Sequence, residues 1–165
     1  MRLLHKFLIC FAVTGILVLT TSYADSDYGS WDYIPVFMKR TDLNQSVSYQ
    51  SARELENPGK IYYKRPYIYI NEKYKGVHVI NNSDSVHPEN EGFIVAPGCL
   101  DMAVKGNIMY LDNAVDLVAF DLEMKEETKR IENVFPEPVS PNNEVFYSER
   151  DREGYILVAW EKRND

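Results

Sequence analysis

Three observations predict an all-β fold. The apolar segments are short and strand-like, as in Tyr67-Ile68-Tyr69-Ile70-Asn71 and Gly76-Val77-His78-Val79-Ile80-Asn81. They also recur: the first answers to Ile108-Met109-Tyr110-Leu111-Asp112 at an offset of 41, and the second to Asp116-Leu117-Val118-Ala119-Phe120-Asp121 at an offset of 40. One residue fewer in the intervening turn accounts for the change. Finally, only Thr41–Val47 has a helical character, one or two turns capped by Thr41 or Asp42. A period near 40 built from short strands points to a partial β-propeller of about two to three four-stranded blades, with one short N-terminal helix.

Residues 1–24 read as a signal peptide. Arg2 and Lys6 precede 13 largely apolar residues, Phe7 to Leu19, and Ser22-Tyr23-Ala24 offers a small-x-small cleavage site. The run is shorter than the roughly 20 residues of a spanning helix. No stable membrane span is therefore expected after cleavage, and the chain is placed outside the cytoplasm, in the periplasm, at the cell surface or secreted. An uncleaved anchor is the alternative. Residues 25–33 are small, acidic and aromatic and are expected to form a flexible tether; residues 34–165 form the repeat domain.

Within that domain Ile34–Met38 is an extended segment whose Pro35 suits an edge, and strands are expected from Ile61 onward. Tyr67–Glu72 and Val77–Asn81 form a hairpin around Lys73-Tyr74-Lys75-Gly76. After a polar loop at Asn82–Asn90, Phe93–Ala96 is a third strand and Leu100–Val104 a fourth, completing one blade. The cycle restarts through Lys105-Gly106-Asn107 into Ile108–Asp112 and Leu117–Leu122. The unbroken apolar run Leu117–Phe120 predicts a strand covered on both faces. Glu123–Arg130 reads as a charged connection, Ile131–Phe135 as a strand, and Val145–Ser148 with Tyr155–Trp160 as a last hairpin.

Charge and composition narrow the function. Cleavage removes two cations and no anions, taking the formal charge from −7 to −9. The remaining cations are scattered pairs such as Lys64-Arg65, so no nucleic-acid surface is expected. Cys10 lies in the signal, which leaves Cys99 without an intramolecular disulfide partner. His78 reads as a packed strand residue, His87 as an exposed loop residue and Cys99 as a small buried one. No paired metal-ligand motif, catalytic base for Cys99, phosphate loop or dinucleotide fingerprint occurs. Asp112, Asp116 and Asp121 stand at strand ends and read as turn residues. Catalytic, metal and cofactor assignments are accordingly none. The 12 tyrosines include a cluster, Tyr62, Tyr63, Tyr67, Tyr69 and Tyr74, that is a candidate ligand surface for stacking on a sugar or peptide as well as candidate packing.

Gly76–Asn82 and Asp116–Leu122 resemble degenerate copies of the Gly-Leu-x-Ile-Val-Asp-Val core of LVIVD-repeat β-propeller proteins. The run from Pro35 to Trp160 is similar to the N-terminal part of exported Bacteroidetes proteins of unknown function with such repeats. Asn57-Pro58-Gly59-Lys60-Ile61-Tyr62, Tyr69-Ile70-Asn71-Glu72 and Pro97–Val104 carry the likeness. The resemblance implies a propeller, export, and binding of a protein or glycan ligand, with no catalytic residues to carry over. The family's lipoprotein cysteine has no counterpart at the cleavage position. A closed propeller needs about four to eight blades, so three expectations stand: a truncated fragment of a longer propeller, self-association through open blade edges, or a small open β structure. A non-enzymatic binding or interaction scaffold is the leading function. The alternative is part or a remnant of an extracytoplasmic hydrolase acting on glycan or peptide.

Overall fold

The computed structural model describes residues 32–143 and 152–163. It is all-β, with eleven described strands in three antiparallel sheets and one helical turn. The expectations for residues 1–24, and for the tether as far as residue 31, fall outside the described residues. So does the expected strand Val145–Ser148. Among the described residues no helix is long and apolar enough to cross a membrane.

Strand β1 (Tyr33–Lys39) is followed by the single turn α1 (Arg40–Leu43). Lys39, not Thr41 or Asp42, holds the N-cap position, and no side chain caps the turn. Leu43 is the one buried residue of this turn, and it is fully covered. Strand β2 (Ser48–Gln50) then leads through Ser51–Asn57 into β3 (Pro58–Lys64), β4 (Tyr67–Glu72), β5 (Gly76–Asn81) and β6 (Glu89–Val95). These form a sheet in the order β2-β6-β5-β4-β3, a four-stranded meander with β2 added at one edge.

The second meander comprises β7 (Met102–Lys105), β8 (Ile108–Asn113), β9 (Asp116–Asp121) and β10 (Glu126–Ile131). Three expectations are corrected here. The strand read as completing the first unit, β7, pairs with β8 across the tight Gly106-Asn107 turn and belongs to the second sheet. The charged run Glu123–Arg130 is largely strand, not connection. As an edge strand, β10 offers one side to the ladder, and Glu126 and Lys129 face water. The expected strand at Ile131–Phe135 ends at Ile131.

β11 (Tyr155–Lys162) finds its partner at the other end of the described chain. It pairs with β1, Pro35 opposite Trp160, so the proline stands on an edge strand as its missing N–H requires. Val158 and Leu43 pack with Ala114 of the β8–β9 turn.

The two meanders share one register. Tyr62 pairs with Tyr69 and Val79 with Tyr69; 41 or 40 residues on, Ala103 pairs with Tyr110 and Ala119 with Tyr110. They stack into a single core of Tyr69, Val77, Val79 and Ile94 from the first sheet against Met102, Val104, Met109, Leu111, Val118 and Phe120 from the second. Repeat-equivalent faces do not meet each other. The inner face of the first sheet (Tyr62, Tyr69, Val77, Val79) corresponds to the outer face of the second (Ala103, Tyr110, Leu117, Ala119). Leu117 and Ala119 are thus only half-buried, not covered on both faces as the apolar run suggested.

Side chains stitch β3 to β7 at every second residue. Lys60 pairs with Asp101, Tyr62 Oη donates to Val104 O at 3.1 Å, and Lys64 donates to Gly106 O. At one end of the sheets Gly98, with φ of 84°, presses on the β8–β9 turn, where a Cβ would lie 2.6 Å from Ala114 Cα. That approach needs glycine on both counts.

Candidate functional site

The arrangement with the most ligand-like chemistry is a cleft of about 440 Å³ between the two meanders, at the end opposite Gly98. Alternation along β4 turns Tyr67 and Tyr69 inward, where their rings lie 6.1 Å apart at 32°. Tyr49 of β2 joins them because β2 is added next to β6, and its ring lies over Gly92, where any Cβ would overlap the phenol. Tyr49 Oη donates to Glu91 O at 3.3 Å. The second sheet supplies the far wall through Asn107, Leu122, Glu123 and Lys125.

The rim is locally ordered. Asp121 accepts the N–H groups of Glu123 and Met124 at 2.8 and 2.9 Å, fixing the β9–β10 turn. Lys125, at φ 59°, brings Nζ to 4.2 Å from the Tyr49 ring centroid. Asn107 Nδ2 donates to Asp121 at 3.0 Å, and Asn81 Nδ2 to Glu91 at 2.7 Å. Lys64 and Arg65 complete the rim. Burial, and then the neighbouring Tyr67 and Tyr49, push the Tyr69 phenol up to about 12. It therefore remains a neutral hydroxyl at any physiological pH.

Of the five tyrosines singled out from sequence, Tyr67 and Tyr69 line this cleft. Tyr62 packs at the core margin with its hydroxyl on β7. Tyr63 points outward from the first sheet, 59% exposed. Tyr74 forms the β4–β5 turn at φ 64°, its N–H donating to Cys99 O at 2.9 Å.

Two buried polar nodes lie at the other end of the sheets. Glu72 and His78 are fully buried, with His78 Nε2 3.1 Å from Glu72 Oε2. Glu72 also accepts the N–H groups of Glu56 (3.1 Å) and Asn57, which latches the Ser51–Asn57 segment across the outer face. The His78 ring meets Phe93 edge-on at 4.7 Å, and the Arg53 guanidinium covers Phe93 at 4.0 Å. His78 Nδ1 has no hydrogen-bond partner among the described residues. This pair was missed because Glu72 and His78 are six residues apart. The hairpin register sets them diagonally adjacent, since Ile70 faces His78 and Glu72 faces Gly76.

The second node centres on Asp116, fully buried. Its carboxylate accepts from Arg40 at 2.7 and 2.8 Å, from Arg130 at 2.9 Å and from the N–H of Asn133 at 3.0 Å. Asp116 is thus an ion-pair centre rather than a turn residue. Asp112 accepts the N–H groups of Leu100 and Asp101 at 2.9 and 2.8 Å. Cys99 is buried beside it, and burial, reinforced by the Asp112 charge, pushes the thiol well up, away from the thiolate form. Among the described residues no group of three or more His, Cys, Asp or Glu could hold a metal.

Burial alone would raise both node carboxyls. For Glu72 the N–H groups of Glu56 and Asn57 and then His78 outweigh it; for Asp116 the Arg40, Asn133 and Arg130 bonds do so, and both settle below the ordinary range. A folded-state pKa below the unfolded one gives stability that is present above the unfolded value, about 4, and is lost as pH falls through the folded one. Asp112, raised by burial, works in the opposite sense. Urea midpoints measured from neutral pH downward should therefore fall below about pH 4.5, and the fall should be shallower in Glu72→Gln. An equal slope in that variant would contradict the latch.

The chain matches no protein-family model, no curated protein and no solved structure.

Proposed function

We propose that the protein is an exported, non-enzymatic binding scaffold built on a partial β-propeller of the LVIVD-repeat kind. Its ligand is an extracytoplasmic glycan held in the cleft floored by Tyr49, Tyr67 and Tyr69. The propeller reading is supported by two four-stranded meanders of identical register, each presenting to its neighbour the face opposite to the one the neighbour presents. Export is supported by the cationic and apolar N-terminus with its small-x-small site.

The observation that carries the ligand class is the cleft itself. Aromatic faces stack on the apolar side of a sugar ring. The surrounding carboxylates, amide and ammonium groups of Glu91, Glu123, Asn107, Lys64 and Lys125 both accept and donate, as a ring of hydroxyls requires. A peptide uses such a floor less fully, because its backbone prefers an open strand edge.

Titration calorimetry against a panel of cell-surface and host oligosaccharides tests this. One or more should bind, with about two- to tenfold weaker affinity in Tyr67→Ala, as loss of a stacking contact implies, and unchanged affinity in Tyr63→Ala. Failure of the whole panel, or equal affinity in Tyr67→Ala, would overturn the glycan assignment. Turnover of a bound oligosaccharide would replace the scaffold with a hydrolase, for which Glu91 and Glu123 are the carboxylates at hand.

A further inference from the structure

We infer that the protein self-associates head to tail, the outer face of its second meander receiving the outer face of the first meander of another copy. This goes beyond the ligand assignment and stands independently of it. It places the contact on sheet faces, where the packing inside one chain supplies the template.

Inside the chain, the first sheet's inner face meets the second sheet's inner face, and the two are different faces of the repeat. The second sheet's outer face, with Ala103, Tyr110, Leu117 and Ala119, therefore matches by register the surface that already makes this contact. The first sheet's outer face, with Ile61, Tyr63, Ile68, Ile70 and Ile80, matches the surface that receives it. Each end of the stack thus carries the half-interface the other end needs, which is the condition for a heterologous contact between copies.

Both ends carry an open apolar strip, on the first sheet along β3, beside the part of the face where the Ser51–Asn57 segment covers Glu72, His78 and Phe93. Ile61 is 68% and Tyr63 59% exposed on one end; Ile131 is 49% and Tyr110 39% exposed on the other. A trough of about 520 Å³ runs over Ala103, Tyr110 and Leu117, walled by Phe135–Val139. Its position has a steric reason. Within the chain a large Tyr62 of the first sheet lies against the smaller Val104. At the free ends, the position of Tyr62 is taken by Ala103 and that of Val104 by Tyr63. The large and small partners are exchanged, and the Tyr63 ring of a second copy has the size that the space above Ala103 lacks.

The polar contacts extend in the same way. Lys60 pairs with Asp101, which is its own repeat equivalent, so Asp101 is placed to meet Lys60 of the next copy and continue an alternating charge ladder. Lys105 stands where Lys64 does, with the carbonyl of Arg65 in the next copy as counterpart to Gly106 O.

Sedimentation velocity of the full chain over rising concentration tests this. The weight-average mass should climb from one chain to two or more. Ala103→Arg, which fills the trough with charge, and Tyr63→Ala, which removes the inserted ring, should each raise the dissociation constant at least tenfold. Both positions are solvent-exposed, and circular dichroism should remain that of the parent. As a readout independent of affinity, Tyr63→Cys and Ala103→Cys chains, both also carrying Cys10→Ser, mixed under oxidation should give an interchain disulfide, which neither gives with the Cys10→Ser parent, whose Cys99 is buried. A single-chain mass throughout, association that survives both substitutions, or the absence of the mixed disulfide would each overturn the inference.

Discussion

Asp116→Ala is expected to destabilise the protein by about 3–5 kcal/mol, the usual consequence of stripping one partner from a buried charge cluster. The carboxylate is fully buried and is the meeting point of Arg40, Arg130 and the Asn133 N–H. Its removal leaves Arg130, whose side chain is only 9% exposed, with Glu127 as its remaining ionic partner, and leaves Arg40 without its ion pair, bonded to the Asn133 side chain. Because Arg40 forms α1 between β1 and β2, the node also ties the β1–β11 ribbon to the second meander. Thermal unfolding should show a fall of about 10 °C or more. The double variant with Arg130→Met should recover part of the loss, since the uncompensated charge leaves with the arginine. A fall of less than about 1 kcal/mol would mean that the node is hydrated and counts as a surface ion pair.

Phe120→Ala should cost a similar amount, about 3–5 kcal/mol, for a different reason. Phe120 is wholly covered at the centre of the core between the sheets, opposite Met109 on β8. Truncation loses its transfer energy and leaves a cavity that two stacked sheets close poorly. Since both meanders contribute to that core, denaturant unfolding should remain one transition moved to lower urea. Ile61→Ala, on the open outer face, should stay within about 0.5 kcal/mol. Two separated transitions in Phe120→Ala would mean that the meanders are stable apart.

The strands β4, β5, β8 and β9 were readable from sequence because each alternates cleanly and recurs with its turn. Their offsets of 41 and 40 reflect the turns themselves, Lys73–Lys75 in one hairpin and Ala114-Val115 in the other. Which strands share a sheet was less readable. β7 follows β6 across Ala96–Asp101, a length that serves either a hairpin or a crossing to another sheet. The tight Gly106-Asn107 turn was the sign that it pairs forward. β10 escaped because an edge strand with charged outward positions looks like a loop in composition. β11 could not be assigned to β1 at all, since they lie some 120 residues apart and pairing over that distance leaves no local pattern.

The site shows the same division. Tyr67 and Tyr69 are adjacent in alternation and come together, whereas Tyr62, Tyr63 and Tyr74, equally close in sequence, are sent to the core margin, the outer face and a turn. Tyr49, Glu91 and Lys125 reach the cleft only through the β2–β6 pairing and the β9–β10 turn. The Asp116 node likewise needs Arg40 from 76 residues away, so a buried charge centre looked like a turn aspartate.

Two meanders of one register stack through opposite faces, and nuclear Overhauser contacts in solution test that arrangement most directly. Cross-strand backbone contacts should join Val104 to Met109 and Met102 to Leu111, and Tyr62 ring protons should lie close to Val104. Backbone contacts joining β7 to β6, with Tyr62 remote from Val104, would put β7 in the first sheet and contradict the arrangement.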